Sequence, residues 1–368
     1  MSTAATNNTN VVRSSSLPFV LNGYNFLTLI GKGGFAEVFL VINMKYNKQF
    51  VAKVMTYDES KIDTFESEVQ ALCKLNHPNI IRIYDHFKIN SQIFMILEFC
   101  SKGSLHNELT ITKGLSYKRF LELSKEIVSA LVYCHSKGIA HRDIKPGNVL
   151  IDDFYHTKLA DFGLSLSNLL DGKLQTKFGG SYEYTAPEIF QKKPHDPKAG
   201  DVWALGVMFA TMVTGVIPWK ADSLGELKER VAKGKLTFAK QLPSKLEDLV
   251  RKMVVVDPKA RLTMEEVAKH PVFSDYVSVI RPISQPKKIL WDQISRKSDQ
   301  VDESCDIMPE NIFEMPTDVN VMTSVRAVQT AFLHGNIKQN KMISNRFYKR
   351  KSSDLTFIDF PDEVKEVM

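Results

Sequence analysis

His141-Arg142-Asp143-Ile144-Lys145-Pro146-Gly147-Asn148 runs directly into the apolar triplet Val149-Leu150-Ile151, and Asp161-Phe162-Gly163 follows 18 residues after Asp143. Two carboxylates, an amide and a lysine therefore fall in loops beside β-prone runs. That donor set suits a magnesium–phosphate site. Mg²⁺ takes hard oxygen ligands and keeps several waters, so Asp161 and Asn148 suffice alongside phosphate oxygens. Asp143 is then left to accept a proton from an attacking hydroxyl, while Lys145 balances developing charge.

Upstream, Gly31-Lys32-Gly33-Gly34-Phe35-Ala36-Glu37-Val38 sits at a strand turn. Glycines there let the backbone approach phosphates and aim N–H groups at negative charge. The P-loop and the dinucleotide fingerprint require a following helix, whereas a second strand follows here. Read alone, the stretch is equally a plain glycine-rich hairpin. Lys53 lies fifteen residues after Val38, inside the apolar run Val51-Ala52-Lys53-Val54. A buried ammonium needs a partner, and the next helix offers Glu68, with Glu66 as a rival on a different side. A lysine snorkelling from an edge strand is the other reading.

Around these motifs the chain divides in three. Met1 to about residue 20 is polar, rich in Ser, Thr and Asn, and expected to be disordered. Residues 21–275 read as a strand-rich small lobe followed by a helical large lobe. Strand runs are expected from Tyr24, at Val38–Ile42, Phe50–Met55, Ile80–Ile83 and Ile93–Phe99, with a helix over Asp58–Leu75. After Gly103 the pattern turns helical: Ser116 is a plausible N-cap, Phe120, Leu123, Ile127, Leu131 and Cys134 form one face, and Gly138 a terminator. Residues 276–368 have sparser apolar content and no internal repeats.

Composition narrows the function classes. The 368 residues are 43% hydrophobic and 24% charged, with a net charge of +6, which excludes a disordered, collagenous or disulfide-scaffold chain. Residues 276–368 carry 13 basic and 13 acidic side chains, so the excess lies in residues 1–275. The one dense basic run is Lys349-Arg350-Lys351, which argues against nucleic acid as a partner. Four widely separated cysteines, Cys73, Cys100, Cys134 and Cys305, read as thiols of a reducing cytoplasm or nucleus. Val202–Trp219 is an 18-residue uncharged run, long enough to raise a membrane helix, but Gly206, Thr211, Thr214 and Gly215 within it favour a buried core helix.

Taken together, in this order and at these spacings, the motifs resemble those of the eukaryotic protein kinases over about Tyr24 to Phe273. The resemblance implies an α+β, two-lobed fold and transfer of the γ-phosphoryl group of ATP, with Mg²⁺, to a protein hydroxyl. It implies that Ile30 to Val38 (Ile30, Gly31, Lys32, Gly33, Gly34, Phe35, Ala36, Glu37, Val38) covers the phosphates and that Lys53, paired with Glu68, holds the α- and β-phosphates. Leu97 is the expected gatekeeper, and the backbone of Glu98 to Cys100 is expected to meet the adenine, which Val38, Ala52 and Leu150 sandwich. Asp143 is the expected base, Asn148 and Asp161 the metal ligands, and Lys145 a neighbour of the γ-phosphate. Leu72, Ile83, His141 and Phe162 form the expected stack between lobes. Glu188 of Ala186-Pro187-Glu188 is expected to pair with Arg261. Lys145 and Ser181 resemble the serine/threonine type, with a lean towards the calmodulin-kinase and AMP-kinase-like groups.

Some residues depart from the pattern. Ala36 replaces a glycine, implying a stiffer loop, and Gly147 stands where many basophilic kinases carry Glu, which weakens an arginine-directed consensus. Arg142 before Asp143 makes activation by phosphorylation plausible, by an upstream kinase or in the protein itself, with Thr176 as the candidate; an unmodified loop threonine is the plainer alternative. In the tail, Phe357-Ile358-Asp359-Phe360 is similar to a small-lobe docking motif, although a chance Phe-x-x-Phe reads as well. The expectation is a cytoplasmic or nuclear serine/threonine kinase acting in signalling on protein Ser/Thr acceptors, with no membrane span. An ATP-binding pseudokinase scaffold, a small-molecule phosphotransferase and a tail-centred protein are the rivals.

Overall fold

The computed structural model describes residues 17–33, 36–56, 62–166, 179–219 and 221–275. Gly34, Phe35, Thr176 and the tail with Phe357–Phe360 lie outside the described residues. Six antiparallel strands open the chain: β1 Phe19–Leu21, β2 Tyr24–Lys32, β3 Ala36–Asn43, β4 Lys48–Thr56, β5 Ile83–Ile89 and β6 Gln92–Glu98. They form one sheet in the order β1-β2-β3-β4-β6-β5. Aromatic residues fill one face of it. Phe26 meets Phe39 and Phe94 edge to face, with centroids 5.7 and 6.1 Å away, and all three rings are fully buried.

Three details of this sheet differ from the sequence reading. Phe19 and Val20, expected in the disordered segment, belong to β1 because Phe19 stacks on Phe26 at 4.6 Å. Asn22 and Gly23 turn the chain with φ of 48° and 74°, the two left-handed residues that a tight hairpin requires. The fourth expected strand, Ile80–Ile83, is instead β5 from Ile83; Ile80 only bridges Leu159 in the other lobe. The alternation expected from Tyr24 to Ile30 is broken by register shifts between Phe26 and Thr28 and between Leu29 and Gly31.

Between β4 and β5 lies α1, Ile62–Lys74, of which Val69 and Leu72 are buried, as is Leu75 just beyond it. The side chains of Ile62, Phe65 and Glu66 lie outside the described set. In the large lobe, α2 spans Leu105–Thr112 and α3 Tyr117–Ser136, then a two-stranded ribbon pairs β7 Val149–Ile151 with β8 Thr157–Leu159. The chain continues with α4 Pro187–Phe190, α5 Pro197–Thr214, α6 Leu224–Lys233, α7 Ser244–Met253 and α8 Met264–Ala268. Ser116 caps α3 by accepting from the Arg119 N–H, and Phe120, Leu123, Ile127, Leu131 and Cys134 are all buried.

Residues 202–214 of the uncharged run lie in α5, which is buried nearly all round and therefore free of the amphipathic pattern of a surface helix; residues 215–219 follow the helix. Asp196 caps its start and Gly215, at φ +79°, ends it. No helix among the described residues is long and apolar enough to cross a membrane. One ion pair fixes α4 to this centre. Arg261 grips Glu188 through Nη1 at 2.8 Å and Nη2 at 3.1 Å, donates to the Val255 and Ala199 carbonyls, and stands 5.1 Å over the Trp203 ring. Removing Glu188 alone strands a buried guanidinium, so Glu188→Ala should destabilise the domain by about 3–5 kcal/mol in urea unfolding. A Glu188→Leu, Arg261→Met pair should recover most of that loss.

Candidate active site

Lys53 emerges from the middle of β4, opposite Val38 on β3 and Met95 on β6. Its Nζ donates to both carboxylate oxygens of Glu68 on α1, at 2.8 and 2.9 Å, and to Asp161 Oδ1 at 3.1 Å. Glu68 is buried, so the choice left open in the sequence is decided for Glu68. Burial opposes the ammonium charge, but Glu68 and Asp161 overrule it and move the Lys53 pKa upward. Burial also pushes Glu68 up, against the pull of Lys53. The Asp161 carboxyl is held down at about 2, chiefly by Lys53 and against its own desolvation. It is an anion at any working pH.

The loop carrying Asp143 is assembled from the other side. Asp143 Oδ2 accepts from Lys145 Nζ at 2.7 Å and Asn148 Nδ2 at 2.9 Å, while Oδ1 accepts from the Ser181 N–H and hydroxyl, each at 3.0 Å. Lys145 also donates to the Ser181 hydroxyl at 2.9 Å. Asn148 gives a second amide bond to the Asp143 carbonyl at 2.8 Å, so its Nδ2 is spent on Asp143 and its Oδ1 is the oxygen it has to offer a cation. His141 fixes its own tautomer: Nε2–H donates to the Ala160 carbonyl at 3.0 Å, so Nδ1 accepts the Asp143 N–H at 3.3 Å.

Two residues here hold left-handed backbone without being glycine, Arg142 at φ 68° and Asp161 at φ 64°. Such conformations cost about 1–3 kcal/mol each and persist only where surrounding structure imposes them. At Arg142 the imposing group is Asp201, the fifth residue of α5. Its carboxylate accepts the His141 N–H at 2.8 Å and the Arg142 N–H at 2.7 Å, and pairs with His135 at 2.9 Å. Gly180, at φ +103°, presses on the same turn, where a Cβ would meet the Arg142 carbonyl at 2.6 Å.

The structure brings Lys53, Glu68 and Asp161 together, and Asp143, Lys145 and Asn148 together. Ile30, Gly31, Ala52 and Cys100 are buried, Val38, Leu97, Glu98 and Leu150 partly buried, and Lys32 and Gly33 exposed. Lys32 and Glu37 face each other across β2 and β3 in an ion pair at 2.8 Å. Ala36 begins β3, its carbonyl accepting the Gly33 N–H at 2.8 Å. In the expected stack, the His141 and Phe162 rings lie 4.6 Å apart, and Leu72 and Ile83 pack in the same core. The sequence reading gives Asp201 no part in the site and uses Ser181 only as a mark of the serine/threonine type. Neither contact has a sequence signal, since the residues bonded lie tens of positions apart.

Fold and site define a class, and comparison with known proteins agrees. The sequence model of the protein kinase domain matches residues 24–273, and the chain belongs to the protein kinase family. Two mouse proteins, sperm motility kinases 3A and 3B, are each 34% identical over 248 residues, which is 67% of this chain and 49% of theirs. A Dictyostelium discoideum protein, probable serine/threonine-protein kinase MARK-A, is 33% identical over 264 residues, 71% of this chain and 25% of its own. The lean towards calmodulin-kinase and AMP-kinase-like groups is compatible with that match. This chain spans about half the length of the mouse relatives and a quarter of the amoebal one.

Lys53→Met removes the main influence on Asp161, whose pKa should rise from about 2 towards or past the ordinary 3.8, as read by carboxyl NMR titration. The sign follows from linkage. A depressed folded-state pKa contributes stability above the unfolded value and loses it as pH falls from about 4 to about 2. The variant should lack that acid limb.

Proposed function

We propose that this chain is a serine/threonine protein kinase, moving the γ-phosphoryl group of Mg·ATP to protein hydroxyls in signalling within the cytoplasm or nucleus. The observation that carries the reading is the simultaneous assembly of the Lys53–Glu68–Asp161 cluster and the Asp143–Lys145–Asn148–Ser181 network. Phosphoryl transfer asks a protein for positioning and charge stabilisation, and these groups supply both.

Lys53, already anchored by Glu68, presents a fixed cation to the α- and β-phosphates. Asp143 accepts the hydroxyl proton of the acceptor, and Lys145, 2.7 Å from that carboxylate, faces the charge that develops. The anionic Asp161 and the amide oxygen of Asn148 are hard donors that fit a divalent cation. Among the described residues no group of three or more His, Cys, Asp or Glu is placed to hold a metal ion, so two protein oxygens and the phosphates would share it. Bound there, Mg²⁺ would neutralise phosphate charge. The adenine would lie between Val38, Ala52 and Leu150, against the Glu98–Cys100 backbone.

Support for the serine/threonine class comes from Lys145 and Ser181 and from the match to a probable serine/threonine kinase. Support for a reducing compartment comes from the free thiols of Cys73, Cys100 and Cys134. A phosphate on Thr176 would find its counter-charge in Arg142, which already donates to the Leu164 carbonyl at 3.1 Å.

Transfer from labelled ATP to arrayed peptides, with and without Mg²⁺, tests this reading. Asp143→Ala should lower turnover by about 10²–10⁴-fold while the protein stays folded. Serine and threonine peptides should be labelled, and tyrosine peptides should not. Nucleotide binding without any transfer by the wild type, also after Thr176 is phosphorylated, would leave a scaffold instead.

A further inference from the structure

Besides Lys53–Asp161 in the cleft, a second ion pair crosses from the small lobe to the large one, behind the cleft. Lys158 Nζ lies 2.7 Å from Glu98 Oε1, with side chains only 14% and 21% exposed. Lys158 is the middle residue of β8 and stands opposite Leu150 in the ribbon, so the two side chains share one face. Glu98 is the last residue of β6. Its second oxygen accepts the Arg82 N–H at 3.3 Å, and its own N–H donates to the Arg82 carbonyl at 2.9 Å. One carboxylate is thus held by small-lobe backbone on one side and a large-lobe ammonium on the other. Asp152 Oδ2, 3.9 Å from the ammonium, is the further anion at this spot. The neighbouring Cys100 thiol is pushed up by burial, with Glu98 adding to the shift and Lys158 opposing it.

The lobes do not need this pair to stay docked. The Ile81 and Leu159 N–H groups donate across the junction to the Leu159 and Asn79 carbonyls, each at 2.8 Å, and Asn79 Nδ2 donates to the Thr157 carbonyl at 3.0 Å. Those bonds end before the strand that joins the lobes. Among the described residues, the far end of the joining segment is bonded to β7, the Lys102 N–H donating to the Ile151 carbonyl at 3.2 Å and the Ile151 N–H to the Gly103 carbonyl at 2.8 Å. The Glu98 side chain ties its near end to β8. We infer that Lys158 is a positioning residue for the nucleotide: through Glu98 it sets the angle at which the Glu98–Cys100 backbone meets the adenine. The inference rests on the proposed role of that backbone. A pair intact in one lobe orientation and broken in others biases that equilibrium by its own energy, which appears as affinity.

Lys158→Met keeps the alkyl stem and removes the charge. In the full chain, the Kd for MgADP by calorimetry and the KM for ATP should each rise about fivefold, while kcat and the KM for peptide stay within about twofold. Hydrogen exchange at amides 98–103 should quicken without nucleotide. Lys158→Glu should be worse than Lys158→Met, and Lys158→Glu with Glu98→Lys should recover MgADP affinity relative to Lys158→Glu. A lowered Tm with unchanged MgADP affinity and unchanged exchange would overturn the inference, leaving the pair a matter of stability alone. A wild type that binds no nucleotide would sink the kinase reading instead, and exchange at 98–103 would still decide whether Lys158 tethers this segment.

Discussion

The site depends on one buried carboxylate. Asp201 has no solvent of its own, and it answers that burial by accepting two backbone N–H bonds and one from His135. Those backbone groups belong to His141 and Arg142, so the loop carrying Asp143 takes its shape from the end of the most deeply buried helix. The left-handed turn at Arg142 is a consequence, stable because the carboxylate behind it has no better partner. Asp143 then sits between Lys145, Asn148 and Ser181, each held in turn. A loop, in general mobile, is made rigid by reference to the core.

The small lobe supplies the complementary constraint. Lys53 cannot remain charged inside an apolar sheet without an acid, and Glu68 cannot remain charged on the buried side of α1 without a base. Their mutual need fixes the helix against the sheet. Asp161 reaches the same ammonium from the large lobe, which links the helix, the sheet and the loop of Asp161 through three charged groups. Behind the cleft, Glu98 and Lys158 repeat that arrangement at the joining strand. Two lobes of different architecture are therefore held at both front and back of one cleft.

Much of this was legible beforehand, for reasons that can be named. Spacing alone placed Asp143, Lys145, Asn148 and Asp161 in loops next to strands, because glycine, proline and apolar runs report local backbone directly. The cap at Ser116 and the buried face of α3 follow from a 3.6-residue period, which a helix imposes regardless of its neighbours. The start of the sheet was misplaced although a signal existed: Asn22-Gly23 between Leu21 and Tyr24 is a two-residue hairpin turn, and polar residues before it masked a strand of three. Ile80–Ile83 misled because its apolar residues answer to the opposite lobe, where Ile80 meets Leu159. A short apolar run does not say what covers it.

Residue order alone specified which chemical groups are present and which elements carry them: the glycine hairpin, the lysine within a strand, the acid one helix later, and two carboxylates in loops. It left open whether Glu66 or Glu68 meets Lys53, since a helix offers both and only docking against the sheet chooses the side. It held no trace of Asp201 beneath the loop of Asp143, of Ser181 on Asp143 or of Lys158 on Glu98. Each of these joins residues from separate elements at 2.7 to 3.0 Å, a separation that chain order cannot encode. Local pattern reports how a segment satisfies its own backbone. Where buried charge finds its partner is settled only when the elements pack, because the cost of leaving it unpaired exists only once water has been excluded.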